Sequence, residues 1–113
     1  MVIEVPKVVS NPKNVTKEEG EDTEFSCNFE NTRPVPNVSW RFVNGSGHVK
    51  DLKEEKRGTG LQRSVLKIPS VSRSDAGAYS CVVENEFKKV NSSAARLTVQ
   101  CEYLNDCLLD AFV

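Results

Sequence analysis

Aromatic side chains, histidine and an excess of either charge are what this 113-residue sequence has least of. Aromatics make up 7%, with a single Trp, and hydrophobic residues only 38%, so any core it forms is small. Fifteen Lys plus Arg face 16 Asp plus Glu, a formal net charge of −1. That balance argues against a nucleic-acid binder, whose phosphate-neutralising surface appears as a clear basic excess. It also lies outside the low-hydrophobicity, high-charge signature of disorder. No apolar run approaches the roughly 18 residues that a membrane-spanning helix needs. The start, Met1-Val2-Ile3-Glu4-Val5-Pro6, lacks the basic stretch and apolar run of a signal peptide, so the expectation is either a cytosolic protein or a mature fragment with a start Met added. There is no internal repeat and no low-complexity tract. The one histidine, His48, lies in a Gly/Ser loop with no motif around it, and no phosphate-cradling glycine loop occurs. Neither catalysis nor a cofactor is expected.

What is present is alternation. Phe25, Cys27 and Phe29 alternate with Glu24, Ser26 and Asn28, and Val38, Trp40 and Phe42 with Ser39 and Arg41. Leu66 and Ile68 follow, then Tyr79, Cys81 and Val83, then Ala95, Leu97 and Val99. Period two is the mark of half-buried strands, and turn-rich stretches separate these: 31–37, 44–47, 58–60 and 69–77. Weaker β segments at Ile3 to Val5 and Val15 to Lys17 precede them, and the charged stretch Lys50 to Arg57 is suited to a short edge strand. About seven short strands in one domain predict an all-β fold of two antiparallel sheets. A chain of this size buries only about two-thirds of its unfolded surface, which makes a covalent staple valuable, and four cysteines are candidates.

Cys27, Trp40 and Cys81 fall on three different strands, all at inward parity. Around the last of them the sequence reads Asp75-Ala76-Gly77-Ala78-Tyr79-Ser80-Cys81, an instance of D-x-G-x-Y-x-C, and Leu66-Lys67-Ile68-Pro69-Ser70-Val71 and Pro34-Val35-Pro36-Asn37-Val38-Ser39-Trp40 flank the strands on either side. On these residues the stretch from 2 to about 100 resembles an immunoglobulin-like domain of the I-set. The resemblance implies a Greek-key sandwich, a Cys27–Cys81 disulfide with Trp40 packed on it, and a tyrosine corner in which the Tyr79 hydroxyl bonds backbone upstream while Gly77 allows a tight turn. Closing a loop of that length stabilises by about 4 kcal/mol in the chain-entropy estimate. Some cytosolic I-set domains instead keep these thiols reduced. One departure from the family pattern is the turn Asn85-Glu86-Phe87-Lys88-Lys89, which lacks the Gly often found there and places the apolar Phe87 at its tip.

Four Asn-x-Ser/Thr triplets begin at Asn14, Asn37, Asn44 and Asn91, more than chance pairing of nine Asn with 16 Ser plus Thr would give. As acceptors for N-glycans they place the protein outside the cell or at its surface; as plain turn residues they say nothing of compartment. Lys50, Lys53, Lys56, Arg57 and Arg63, set against Asp51, Glu54 and Glu55, form either a solvated charged edge or a patch for a heparin-like polyanion centred on Lys56 and Arg57.

The segment 101–113 lies outside the family pattern. Leu104, Cys107, Leu108, Ala111 and Phe112 form the stripe of an amphipathic helix. Cys101 and Cys107 bond each other, or another chain, or belong to a neighbouring module; a continuous helix would hold them too far apart to pair. The C-x5-C spacing has no second ligand pair, so no metal is expected. The domain assignment is therefore 1–100 for the sandwich and 101–113 for a tail. The function implied by the resemblance is non-enzymatic recognition of a protein ligand, cell-surface receptor or second copy of itself, with Phe87 as candidate anchor. The alternatives are an intracellular structural spacer like those of giant muscle proteins, and a secreted decoy form of a receptor.

Overall fold

The computed structural model describes residues 5–30, 32, 36–53 and 63–100, with Lys53 described by its main chain only. Nine strands occur among them: β1 (Val8–Ser10), β2 (Val15–Glu18), β3 (Thr23–Phe29), β4 (Asn37–Asn44), β5 (Val49–Lys53), β6 (Arg63–Ile68), β7 (Gly77–Glu84), β8 (Lys89–Asn91) and β9 (Ala95–Gln100). They form two facing sheets. One has the order β1-β3-β6, the other β2-β9-β7-β4-β5, with β8 also pairing β7. The alternation in the sequence is the alternation of burial: Phe25, Cys27, Phe29, Val38, Trp40, Tyr79, Cys81, Val83, Ala95 and Leu97 form the core between the sheets. Among the described residues no helix is long and apolar enough to cross a membrane.

Two registers align the centre of the core. Cys27 lies opposite Ser64 in the β3–β6 pair, and Trp40 lies opposite Cys81 in the β4–β7 pair. Each sheet therefore presents a Cys beside a polar-capable partner, and both partnerships cross the gap. Cys27 and Cys81 are joined in a disulfide with Cα atoms 6.6 Å apart. Next to it the indole N–H of Trp40 donates to Ser64 Oγ at 2.9 Å, with both residues fully buried. Burying an indole donor is costly unless it is satisfied, so the core holds a serine where a strand's inner face would ordinarily carry an apolar residue. Phe25, Tyr79 and Phe42 stack in series beside this brace, with ring centroids 4.8 and 4.7 Å apart.

Among the described residues the first strand is Val8–Ser10; of the expected segment Ile3 to Val5, Val5 is not in a strand, and Ile3 and Glu4 lie outside the described residues. Val8 pairs with Phe29 and packs on the core. The chain then crosses to the second sheet without reversing, so β2 runs parallel to β9 and breaks the antiparallel pattern expected throughout. Two asparagines secure the crossing: Asn11 Oδ1 accepts the Ser93 N–H at 2.9 Å and Asn14 Oδ1 the Arg96 N–H at 2.8 Å. The charged edge strand does form, as β5 on the margin of the larger sheet; residues 54–57 lie outside the described residues.

The connection 69–76 holds a 3-10 turn, Arg73–Asp75. Asp75 serves it twice. Its Oδ2 accepts the Ser72 N–H at 2.8 Å, and its carbonyl accepts the Tyr79 hydroxyl at 2.5 Å. Burial, and then the Asp75 carboxylate, push the Tyr79 phenol well above its ordinary range, so it remains a donor at any usual pH. Two residues before Tyr79, Gly77 has φ of +155°, and a Cβ there would lie 2.3 Å from the Val43 carbonyl oxygen.

Replacing Ser64 with Ala should leave the Trp40 N–H buried without its acceptor and lower stability by about 1–3 kcal/mol, read as a fall in the urea midpoint at constant slope. Gly77→Ala forces apart backbone that cannot yield as a side chain would, and should cost at least about 1–3 kcal/mol in the same titration.

Candidate interaction surface

The turn between β7 and β8 lies at one end of the sandwich, and its shape comes from a side chain. Asn85 is almost fully buried, at 8% exposure. Its Oδ1 accepts the N–H groups of Phe87, at 2.9 Å, and Lys88, at 3.1 Å, while its own N–H donates to the Lys88 carbonyl at 3.0 Å. Its Nδ2 reaches across to Thr32 Oγ1 at 3.4 Å, tying the turn to the connection between β3 and β4. The missing glycine is thereby explained. Ser70 is the single non-glycine with positive φ among the described residues, so this turn requires no left-handed residue. Asn85 supplies by hydrogen bonding the closure that other hairpins obtain from glycine's freedom. Phe87 projects from it 43% exposed, between the exposed Glu86 and Lys88.

Beside the turn is the outer face of the larger sheet. Positions that are not inward in β4, β5, β7 and β8 meet there by register: Ser39 opposite Val82, Arg41 opposite both Asp51 and Ser80, Val82 opposite Asn91, and Glu84 opposite Lys89. Opposite charges across a non-core face stabilise their strands modestly and leave polar groups available to a partner. Ser39, Arg41, Val49, Asp51, Val82, Lys89 and Asn91 line a shallow depression of about 320 Å³ on this face. Sequence reasoning missed both Asn85 and this face. The signal for the face was there, in the outward parity of strands whose inward parity had been read; the signal for Asn85 was not, because its importance depends on Thr32, 53 positions away.

Of the four Asn-x-Ser/Thr asparagines, Asn37 and Asn91 are exposed and belong to this same end of the sheet, Asn37 opposite Glu84 and Asn91 opposite Val82. Asn44, opposite Gly77, lies at the other end. Asn14 and Asn44 also have structural work: Asn14 Oδ1 holds the β2 crossing, and Asn44 Oδ1 accepts the N–H groups of Ser46 and His48, each at 2.9 Å. A glycan attaches through Nδ2, so neither role excludes it. Trp40, Asp75, Gly77 and Tyr79 come together with the Cys27–Cys81 bond in one region of the core and its adjoining corner. Lys56, Arg57, Cys101 and Cys107 lie outside the described residues. Among the described residues no group of three His, Cys, Asp or Glu side chains is arranged to hold a metal ion.

The comparisons with known proteins agree with this architecture. A family model for the immunoglobulin domain matches residues 5–85. Roundabout homolog 1 of Mus musculus is 36% identical over 99 residues, covering 88% of this chain and 6% of its own. Smooth-muscle myosin light chain kinase of Gallus gallus is 38% identical over 99 residues, covering 84% of this chain and 5% of its own. Contactin-5 of Gallus gallus is 35% identical over 112 residues, covering 94% and 10%. The chain thus spans no more than 10% of the length of these relatives. Among solved structures, the N-terminal Ig1-2 module of the Drosophila receptor protein tyrosine phosphatase DLAR superposes with a TM-score of 0.70 at 24% identity, covering 89% of this chain and 52% of its own. The titin domains z1z2 in complex with telethonin superpose at 0.68 and 26% identity, covering 90% and 51%. With a disulfide-braced two-sheet sandwich, a tyrosine corner and a family match across most of its strands, this chain belongs to the immunoglobulin domain family.

Proposed function

We propose that this chain is a non-enzymatic recognition module of a cell-surface or secreted protein, an adhesion molecule or receptor, which binds a protein partner through the β7–β8 turn and the sheet face beside it. The observation that carries this reading is Phe87: a large apolar side chain, 43% exposed, on a turn fixed by a buried asparagine. Interfaces draw most of their affinity from a few aromatic anchors, and an anchor already held in place loses little freedom on binding. The mixed charges of Arg41, Asp51, Glu84 and Lys89 on the adjoining sheet face suit the polar rim of such an interface. An extracellular setting is supported by the Cys27–Cys81 bond together with four N-glycan acceptor triplets, of which Asn14, Asn37 and Asn91 are exposed. The partner is a protein ligand or a second copy of the chain.

A second reading, an intracellular structural spacer, is favoured by the similarity to smooth-muscle myosin light chain kinase and to titin z1z2. The secreted-decoy reading rests on the tail 101–113, and the heparin-like polyanion reading on Lys56 and Arg57; both lie outside the described residues.

Non-reducing mass spectrometry of protein from its native source separates the first two. A Cys27–Cys81 bridge with sugar on at least one of Asn14, Asn37, Asn44 or Asn91 is expected; free thiols without glycans would establish the spacer. In a binding screen against cell-surface ectodomains, itself included, Phe87→Asp should weaken a captured partner by about tenfold or more. The same variant should leave stability within about 0.5 kcal/mol, since the position is exposed. Undiminished binding by the variant would remove Phe87 as anchor.

A further inference from the structure

Asn44 is followed by Gly45, and no other Asn-Gly pair occurs in the sequence. An asparagine in that position carries a reactive electrophile beside a nucleophile with no side chain to hinder it, and Gly45 lies in open space, with nothing within 4 Å of where a Cβ would stand. In the fold, however, Asn44 is gripped through its other polar atoms. Its N–H donates to the His48 carbonyl and its carbonyl accepts the Gly47 N–H, each at 3.0 Å. Its Oδ1 accepts the N–H groups of Ser46 and His48. Nδ2, the atom that would leave, takes no part in these bonds. Gly47, at φ of +82°, closes the loop in a conformation that other residues rarely adopt.

We propose that Asn44 is a latent site of spontaneous, backbone-assisted deamidation, held off by the hydrogen bonds of its own hairpin. The Gly45 backbone nitrogen, giving its proton to a base in solution, bonds to Asn44 Cγ. The Cγ–Nδ2 bond breaks, and ammonia departs with a proton from solvent, leaving a five-membered imide. Water then opens the imide at one carbonyl or the other. The balance is one water consumed and one ammonia released, with no oxidation or reduction. Opening at the side-chain carbonyl yields an ordinary aspartate; opening at the main-chain carbonyl yields isoaspartate, with an added methylene in the backbone. The turn resists because swinging Cγ onto the Gly45 nitrogen requires Oδ1 to leave two N–H donors. The isoaspartate product in turn cannot keep the registers Val43–Val49 and Asn44–Gly77 that the hairpin joins. The inference stands apart from the recognition reading, and it concerns the chain without sugar, because a glycan on Nδ2 changes the leaving group.

The full chain made in bacteria, which carries no N-glycan there, is incubated in mildly alkaline buffer beside a synthetic peptide spanning Arg41 to Lys50. Peptide mapping by mass spectrometry follows replacement of NH2 by OH at Asn44, with isoaspartate resolved chromatographically. The peptide should convert at least about tenfold faster than the folded chain, the factor expected when two net hydrogen bonds must open first. Gly45→Ala should slow both, and Gly47→Ala, which strains the closing turn, should bring the folded chain toward the peptide rate. Should Gly47→Ala fail to fold, the wild-type chain in rising urea gives the same comparison, with amide exchange at Ser46 and His48 reporting the opening. Equal rates in peptide and folded chain, or no conversion in the peptide, would overturn the proposal.

Discussion

The sandwich depends on a paired brace across its two sheets. The Cys27–Cys81 bond is the covalent half, and the Trp40 to Ser64 hydrogen bond, at the same register on the neighbouring strand of each sheet, is the polar half. A chain with 38% hydrophobic residues has few other means of fixing one sheet over the other. Apolar packing is non-directional and tolerates sliding, whereas a disulfide and a buried hydrogen bond each permit one alignment. The aromatic series Phe25, Tyr79 and Phe42 then fills the space below the brace, and Tyr79 extends the alignment outward by anchoring the turn at Asp75.

Away from the core the same economy recurs in another form. Where the ladder of backbone hydrogen bonds stops, a short carboxamide or carboxylate takes over as acceptor. Asn11 and Asn14 hold the crossing between sheets, Asp22 accepts the Ser70 N–H, Asn44 shapes the β4–β5 turn, Asp75 the 3-10 turn, and Asn85 the turn bearing Phe87. Backbone N–H groups left over where a ladder ends need partners, and the short side chains of Asn and Asp can supply an acceptor there without continuing the strand. The asparagines that look like glycan acceptors are in part members of this set, which is why their sequence context is ambiguous and why Asn44 combines a reactive neighbour with a protected geometry.

Strand positions and the inward residues were legible because alternation is local: a strand with one buried face must write that face at every second residue. The D-x-G-x-Y-x-C segment was legible for the same reason, since Tyr79 meets Asp75 four residues away. The strand Val8–Ser10 was not legible, because three residues are too few to show alternation and its pairing with Phe29 and Asn28 is what defines it. The parallel entry of β2 could not be seen, since strand direction relative to β9 is set by where the chain crosses between sheets. Of the surface, Phe87 was found as an apolar residue where none is needed for packing, while the face containing Arg41, Asp51 and Val82 required registers between strands.

By itself, then, the sequence determined the class of fold, the two inward cysteines, the tryptophan between them and the tyrosine corner, because each is encoded in short-range spacing. Tertiary structure alone decided that Ser64 is the acceptor for Trp40, that Asn85 and Thr32 close a turn without glycine, and that Asn37 and Asn91 share one end of one sheet. Each of these joins residues that no local pattern relates. A hydroxyl or carboxamide in a strand or turn reads the same in sequence whether it faces water or satisfies a buried donor, and the packing of two sheets is what distinguishes them.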